Sequence, residues 1–94
     1  MKKIQAIAKG KVQGVGFRMY TQSKAEELGV VGYVQNLDDG TVKIVAAGED
    51  DRVDALIDWA KSGSPAAKVD NVQTEAMAYQ EEFDSFEIRR FRPH

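Results

Sequence analysis

The residues best suited to chemistry lie in a glycine-rich stretch that ends in an arginine, Gly10-Lys11-Val12-Gln13-Gly14-Val15-Gly16-Phe17-Arg18. Its three glycines free the backbone around a turn that ends where a helical run begins, so several N–H groups can point at one anion. No Ser, Thr, Asp or Asn stands just before Phe17 to cap the helix, which forfeits ~1 kcal/mol. Arg18 lies at the positive end of the helix dipole, which costs roughly 0.3–1 kcal/mol. A bound phosphate would offset both the missing cap and the repulsion of Arg18. The stretch therefore predicts a phosphate-binding loop composed of Gln13, Gly14, Val15, Gly16, Phe17 and Arg18.

Arg18 and Asn36 have complementary chemistry. A guanidinium offers a planar fork of donors that matches two phosphate oxygens, and it stays charged at any working pH. The amide of Asn36 does not titrate near neutrality, so it is no general base, but it can hold and aim a water molecule. Two simpler interpretations stay open: Arg18 is a solvated helix residue after an ordinary glycine-rich connection, and Asn36 is a turn former. For Asn36 the residues alone favour the turn.

Elements with clear periodicity surround these residues. Spacing and stop signals predict a helix over 17–28 that ends at Gly29 with a positive φ, and a second helix whose Val53, Leu56, Ile57 and Ala60 fall at i, i+3, i+4 and i+7. Alternation predicts strands over 3–10, 31–36, 41–47, 70–79 and 84–91, with a hairpin turn at Asp38-Asp39-Gly40.

The resulting order is β-α-β-β-α-β with one C-terminal strand added. It predicts an α+β fold of the ferredoxin-like, split β-α-β type, a sandwich in which two helices cover one face of an antiparallel sheet. The first crossover directs Asn36, at the end of the second strand, toward the region of Arg18. Topology alone does not establish that the two residues meet.

Size and composition restrict the class of protein. The chain has 94 residues, 13 basic and 15 acidic side chains and a formal charge of −2. These values predict one domain over residues 1–94, without the broad basic field that attracts nucleic acid. The absence of cysteine excludes disulfides, thiolate nucleophiles and cysteine-held metals. No signal peptide or membrane span is recognisable, so we expect a cytoplasmic protein without a membrane partner, and a monomer.

The motifs resemble those of one enzyme family. The glycine-rich stretch ending in Arg18, together with Gly32-Tyr33-Val34-Gln35-Asn36 and Asp39-Gly40-Thr41-Val42, closely resembles acylphosphatase, and the similarity continues to Phe86-Glu87-Ile88-Arg89. The resemblance implies a single acylphosphatase-like domain that hydrolyses the carboxyl–phosphate bond of small acyl phosphates. It also implies that Arg18 binds the phosphoryl group with the loop amides, that Asn36 orients the attacking water, and that no metal or cofactor is used.

Chemical reasoning agrees with that implication, because a carboxylate is a good leaving group and needs little acid catalysis. Inorganic phosphate is expected as product and as competitive inhibitor, since it would fill the same loop. Two alternatives remain: a noncatalytic ferredoxin-like module that binds an anion or RNA, and a domain of a larger carbamoyl-transfer enzyme, which the length of 94 residues disfavours.

Several other features suggest chemistry but favour simpler interpretations. Asp51, Asp54 and Asp58 lie on one side of the second helix and are interpreted as solvated charge rather than a metal site. The single histidine, His94, lies at the C-terminus, where a phosphohistidine role is not expected. Arg89, Arg90 and Arg92 are interpreted as protection of a terminal strand against edge pairing, with nucleic-acid contact as the alternative, and the role of the 90–94 tail stays open. The aromatic residues are expected to pack rather than to stack bases: Tyr33, Trp59, Tyr79, Phe83 and Phe86.

Overall fold

The computed structural model describes residues 1–77 and 82–90. Within these residues the chain forms seven elements: β1 (Lys2–Lys11), α1 (Phe17–Leu28), β2 (Val31–Asn36), β3 (Val42–Gly48), α2 (Asp50–Ser62), β4 (Lys68–Ala76) and β5 (Phe86–Arg89). The predicted order and fold class are confirmed. The parts of the predicted strands that fall at 78–79 and at 91 lie outside the described residues.

The five strands form one sheet in the order β4-β1-β3-β2-β5. β1 pairs with β3 and β4, and β2 pairs with β3, all in antiparallel orientation as predicted. The added strand differs from the prediction of an antiparallel sheet, because β5 runs parallel to β2, with Gly32 opposite Phe86 and Gln35 opposite Arg89. The sheet is therefore mixed.

The reason for the parallel pair lies in the direction of β4. β1 and β2 are both antiparallel to β3, so they run the same way, and β4 runs against them. β4 thus ends opposite Ile4, near the end of the sheet where β2 begins. The described chain resumes at 82 and lies beside the start of β2 at Ser85, whose carbonyl accepts a hydrogen bond from the Gly32 amide (3.0 Å). From that point β5 can only continue in the direction of β2.

The hydrophobic core lies between one face of the sheet and both helices. β1 contributes its alternate residues Ile4, Ala6 and Ala8, as its pattern predicted. The predicted apolar stripe of α2 is also buried in this core, and α1 adds Phe17 and Ala25. α1 ends at Gly29 in the left-handed conformation (φ 72°), which confirms the predicted stop signal. Neither described helix is long and apolar enough to cross a membrane.

The strand register places the C-terminal ends of β1 and β2 at the same end of the sheet. Ala8 pairs with Val42, and Val42 pairs with Asn36 on its other side. Since neighbouring strands are about 4.8 Å apart, the β1 backbone at Ala8 lies about 10 Å from that of Asn36. The connection that leaves β1 and starts α1 therefore begins near the residue that ends β2.

Candidate active site

The connection from β1 to α1 turns through two glycines in the left-handed conformation, Gly14 (φ 74°) and Gly16 (φ 75°). Gly16 is the N-cap of α1, and no side chain accepts a hydrogen bond there. The first turn of α1 also contains no acidic residue. The amides at the helix start are consequently without a capping side chain, and the dipole of α1 adds positive potential. This confirms the predicted uncapped start, and it gives the loop the properties of an anion site.

Arg18 lies in the first turn of α1 and is half-buried. Within residues 1–77 and 82–90 its guanidinium has neither a hydrogen bond nor an ion pair. The positive end of the helix dipole repels this charge, and no protein carboxylate compensates it among the described residues. The side chain is therefore free to pair with an anion that also contacts the loop amides.

Asn36 ends β2 at half-buried depth and carries an unusual polar atom. Its Oδ1 is buried and accepts no hydrogen bond from the described part of the chain. A buried carbonyl oxygen without a donor is unfavourable, and such atoms are uncommon in folded proteins. An acceptor of this kind is what a water molecule needs in order to be held by one of its O–H groups. The turn role that the residues alone favoured does not explain a buried oxygen.

Two side-chain contacts hold the loop in place. The Gln13 amide nitrogen donates to the carbonyl oxygens of Leu37 (2.7 Å) and Thr41 (2.9 Å), which flank the turn after Asn36. The buried hydroxyl of Ser64 donates to the carbonyl of Val15 (2.9 Å). The loop therefore reaches the turn that follows Asn36, as the crossover predicted. Neither side-chain contact could be predicted from the sequence, because each joins residues at least 24 positions apart. The sequence indicates Gln13 only as part of the loop and gives no signal for Ser64.

The first helical residue is anchored from the core side. The Phe17 ring is buried, and its centroid lies 5.8 Å from that of Trp59 on α2. On its other side it packs closely against Gly63, where an added Cβ would lie 3.0 Å from the ring. Phe17 thus fixes the start of α1 against the body of the protein. This anchor also positions its neighbours, the exposed Gly16 and the half-buried Arg18.

The turn between β2 and β3 confirms the hairpin interpretation of Asp38-Asp39-Gly40. The Gly40 amide donates to the Leu37 carbonyl (3.2 Å) and the Leu37 amide to the Thr41 carbonyl (2.9 Å). Asp39 Oδ1 accepts hydrogen bonds from the Thr41 hydroxyl (2.6 Å) and the Thr41 amide (3.0 Å). These bonds, the hydroxyl first, lower the pKa of Asp39 below its usual value because they stabilise the carboxylate. Asp39 therefore has a structural partner within the turn.

The acidic residues of α2 behave as surface charges. Lys2 donates to Asp54 (2.6 Å), and this hydrogen bond raises the pKa of Lys2. Lys61 lies 3.5 Å from Asp58, one turn away on the same helix. In residues 1–77 and 82–90 no three potential ligands form a group that could hold a metal ion.

The aromatic residues of the second sheet face pack against cations. The Tyr33 ring is buried, with the Arg89 guanidinium 4.0 Å and the Lys43 ammonium 5.6 Å from its centroid, and the Phe83 ring lies 6.0 Å away. Such contacts stabilise the pairing of β5 with β2. The Arg90 carbonyl accepts a hydrogen bond from Gln35 (3.2 Å), which also ties β5 to β2. The expectation that these aromatic residues pack is confirmed for Tyr33 and Phe83, whereas Tyr79 lies outside the described residues. The predictions for Arg92 and His94 also fall outside them.

Comparison with known proteins identifies the family. Residues 4–88 match the sequence model of the family described as Acylphosphatase. The chain belongs to the acylphosphatase family. An acylphosphatase from Acaryochloris marina is 49% identical over 87 residues, which cover 93% of this chain and 92% of the relative. One from Caldivirga maquilingensis is 49% identical over 88 residues, or 93% of each protein.

Solved acylphosphatase structures share the fold. The crystal structure of acylphosphatase from Bacillus subtilis superposes with a TM-score of 0.90 at 35% identity, covering 95% of this chain and 99% of that one. The mixed sheet and both helices are therefore features that this chain shares with an acylphosphatase. The family also agrees with the resemblance carried by the glycine-rich stretch and the strand that ends at Asn36. The roles of individual residues stay predictions.

Proposed function

We propose that this chain is an acylphosphatase, an enzyme that hydrolyses the carboxyl–phosphate bond of small acyl phosphates to a carboxylate and inorganic phosphate. Its family membership supports the reaction class. The observation that carries the site assignment is the uncapped start of α1 with Arg18 unpaired beside it in the described part of the chain. A phosphoryl group is an anion of suitable size for such a helix start.

In the proposed mechanism the loop Gln13–Arg18 binds the phosphoryl group. The Arg18 guanidinium contacts two of its three nonbridging oxygens through parallel N–H donors, and the backbone amides contact the third and share the other two. This arrangement neutralises charge on the phosphoryl oxygens throughout the transfer. It also fixes the direction from which a nucleophile can attack the phosphorus.

Asn36 orients the attacking water in this mechanism. Its buried Oδ1 accepts a hydrogen bond from the water, which leaves a lone pair of the water oxygen directed at phosphorus. A P–O bond to water forms while the P–O bond to the acyl group breaks, and the carboxylate leaves with the bonding pair. Neither Arg18 nor Asn36 can accept the water's proton, so a nonbridging phosphoryl oxygen takes it. The products are a carboxylate and inorganic phosphate.

Further properties belong to the same proposal. Inorganic phosphate competes with substrate because it fits the same loop. The protein acts as a monomer in the cytoplasm, residues 1–94 form one domain, and the reaction needs neither metal nor cofactor.

Hydrolysis of benzoyl phosphate tests the proposal. Turnover should be unchanged by EDTA and should fall at least about 10²-fold in Arg18→Ala, because a charge-assisted, two-donor contact with the phosphoryl group is lost. Arg18→Lys keeps the charge but loses the fork, and it should recover only part of the rate. Asn36→Ala should be strongly impaired while remaining folded. Lys24→Ala removes another cation from α1 and serves as the matched control, with activity close to that of the parent.

The alternatives give different results. A parent protein no faster than the buffer blank, but still able to bind phosphate, would support the noncatalytic anion-binding module. Activity that EDTA abolishes would contradict the metal-free mechanism.

A further inference from the structure

The proposed mechanism needs two groups from separate connections to keep a fixed spacing. The phosphate loop precedes α1, whereas Asn36 lies at the end of β2. Neither the Arg18 guanidinium nor Oδ1 of Asn36 forms a hydrogen bond with the described residues that would link them. The register of β1, β3 and β2 brings the start of the loop near Asn36, and a contact between the loop and the turn after Asn36 then fixes the distance between the phosphoryl group and the water.

Gln13 makes a contact of this kind. Its amide nitrogen has two N–H donors, and both are used, one on the Leu37 carbonyl (2.7 Å) and one on the Thr41 carbonyl (2.9 Å). Leu37 directly follows Asn36 in the chain. One side chain of the loop is thus bonded to the residue next to the proposed water-orienting residue.

Both ends of this link are held by further contacts. On the turn side, Leu37 and Thr41 are joined by a backbone hydrogen bond (2.9 Å), and Asp39 binds both the amide and the hydroxyl of Thr41. On the loop side, Val12 is buried and the Val15 carbonyl is held by Ser64. Because the loop and the turn are each held by these contacts, the Gln13 amide fixes the position of the loop relative to the turn.

The same geometry argues against direct contact between the Gln13 amide nitrogen and the substrate. Both of its N–H groups already have acceptors, so none is left for a phosphoryl oxygen. The remaining side-chain group, Oε1, is an acceptor and would repel a phosphate rather than bind it. A role in phosphate recognition therefore falls to the backbone of this residue and not to its side chain.

We infer that the Gln13 side chain is a positioning residue that sets the spacing between the phosphate loop and Asn36. The inference rests on the proposed function. Loss of the side-chain amide lets the loop and the turn move apart, which misplaces the water relative to phosphorus. Since a misplacement of about 1 Å can reduce a rate about 10²-fold, the effect falls on kcat. Phosphate binding changes little, because the loop amides and Arg18 remain.

Gln13→Met tests the inference with a side chain of similar length and no donor. The matched control is Gln22→Met, which removes a comparable bond from the Gln22 amide to the Phe86 carbonyl (3.0 Å), remote from the turn. For each variant, kcat and KM for benzoyl phosphate, the dissociation constant of inorganic phosphate and the urea midpoint are measured. We expect kcat of Gln13→Met to fall about tenfold or more with phosphate affinity within threefold, while Gln22→Met retains the parental kcat.

Gln13→Glu provides a readout that a purely structural role would not give. Its carboxylate faces two carbonyl oxygens and cannot donate, whereas the protonated acid can donate one hydrogen bond. The ratio of its kcat to that of the parent should therefore rise as the pH is lowered through the pKa of the new carboxyl group. The same ratio for Gln13→Met should not change with pH.

Three results would overturn the inference. They are an unchanged kcat in Gln13→Met, an equal loss of kcat in Gln22→Met at equal stability, and a loss of phosphate affinity that matches the loss of kcat. Failure of the proposed function is distinguishable from these, because the parent protein itself would then leave benzoyl phosphate intact.

Discussion

Replacing Asn36 by leucine should stabilise the protein and inactivate it at the same time. Oδ1 of Asn36 is buried without a hydrogen bond from the described residues. A buried polar group without a partner costs about 1–3 kcal/mol, and a water that binds such an oxygen lowers that cost. Leucine has nearly the same shape, and Asn36 pairs with the fully buried Val42 in the sheet. The substitution removes the unsatisfied oxygen and adds apolar contact.

The magnitude follows from the position of the residue. Asn36 as a whole is only half-buried, so the lower end of that range applies and the free energy of unfolding should rise by about 1 kcal/mol. For a domain of this size such a gain raises the melting temperature by about 4–8 °C. Activity should fall at least about 10²-fold, because no group is left to orient the water.

Thermal unfolding and benzoyl phosphate hydrolysis, measured on the same preparations, check both expectations. Asn71→Leu is the matched control: Asn71 is an exposed strand residue on β4, and its replacement should change stability by less than about 0.5 kcal/mol. An Asn36→Leu protein that melts below the parent, or one that keeps more than about a tenth of the activity, would refute the reasoning that this oxygen is retained for function at the expense of stability.

Two further predictions concern the frame of the site. Gly63→Ala should destabilise the fold by about 2–3 kcal/mol, because Gly63 adopts φ 73° and ψ −162° and the new Cβ would lie 3.0 Å from the Phe17 ring; urea unfolding measures this. Gly40→Ala, with positive φ (89°) but open space around it, should cost clearly less, and equal losses would contradict the packing argument. For Asp39 the folded-state pKa is lowered, so its contribution to stability is present above the ordinary value of 3.8 and is lost as the pH falls through the lower folded value. The difference between the urea midpoints of the parent and Asp39→Ala should therefore shrink as the pH falls below 3.8. A constant difference from pH 6 to pH 3 would show that the carboxylate makes no such contribution.

Local patterns determined most of the elements. The apolar stripe of α2 and the glycine that ends α1 depend on neighbours three or four residues apart, so their consequences can be derived without knowing the rest of the fold. The uncapped start of α1 is equally local, because it follows from the residues just before Phe17. Arg18 and Asn36 could be named from their chemistry and motifs, although their roles remain to be tested.

The direction of β5 needed tertiary information. Alternation along a strand is the same whether its partner is parallel or antiparallel, so the prediction of an antiparallel sheet failed at this pair. The outcome depends on where β4 ends and which edge of the sheet is free, and neither is a property of residues 86–89. The pattern of those residues indicates only that they form a strand, not the direction of its partner.

The internal organisation of the site was also beyond the sequence. The glycine-rich stretch and the motif that ends at Asn36 determined the family and the chemical groups, because those depend on residue types and spacing. Tertiary structure alone decided that the side chains of Gln13 and Ser64 hold the loop and that Oδ1 of Asn36 is buried without a partner. The contacts of Gln13 and Ser64 join residues at least 24 positions apart. The burial of Oδ1 depends on which groups pack around that atom. Such relations exist only once the chain has folded.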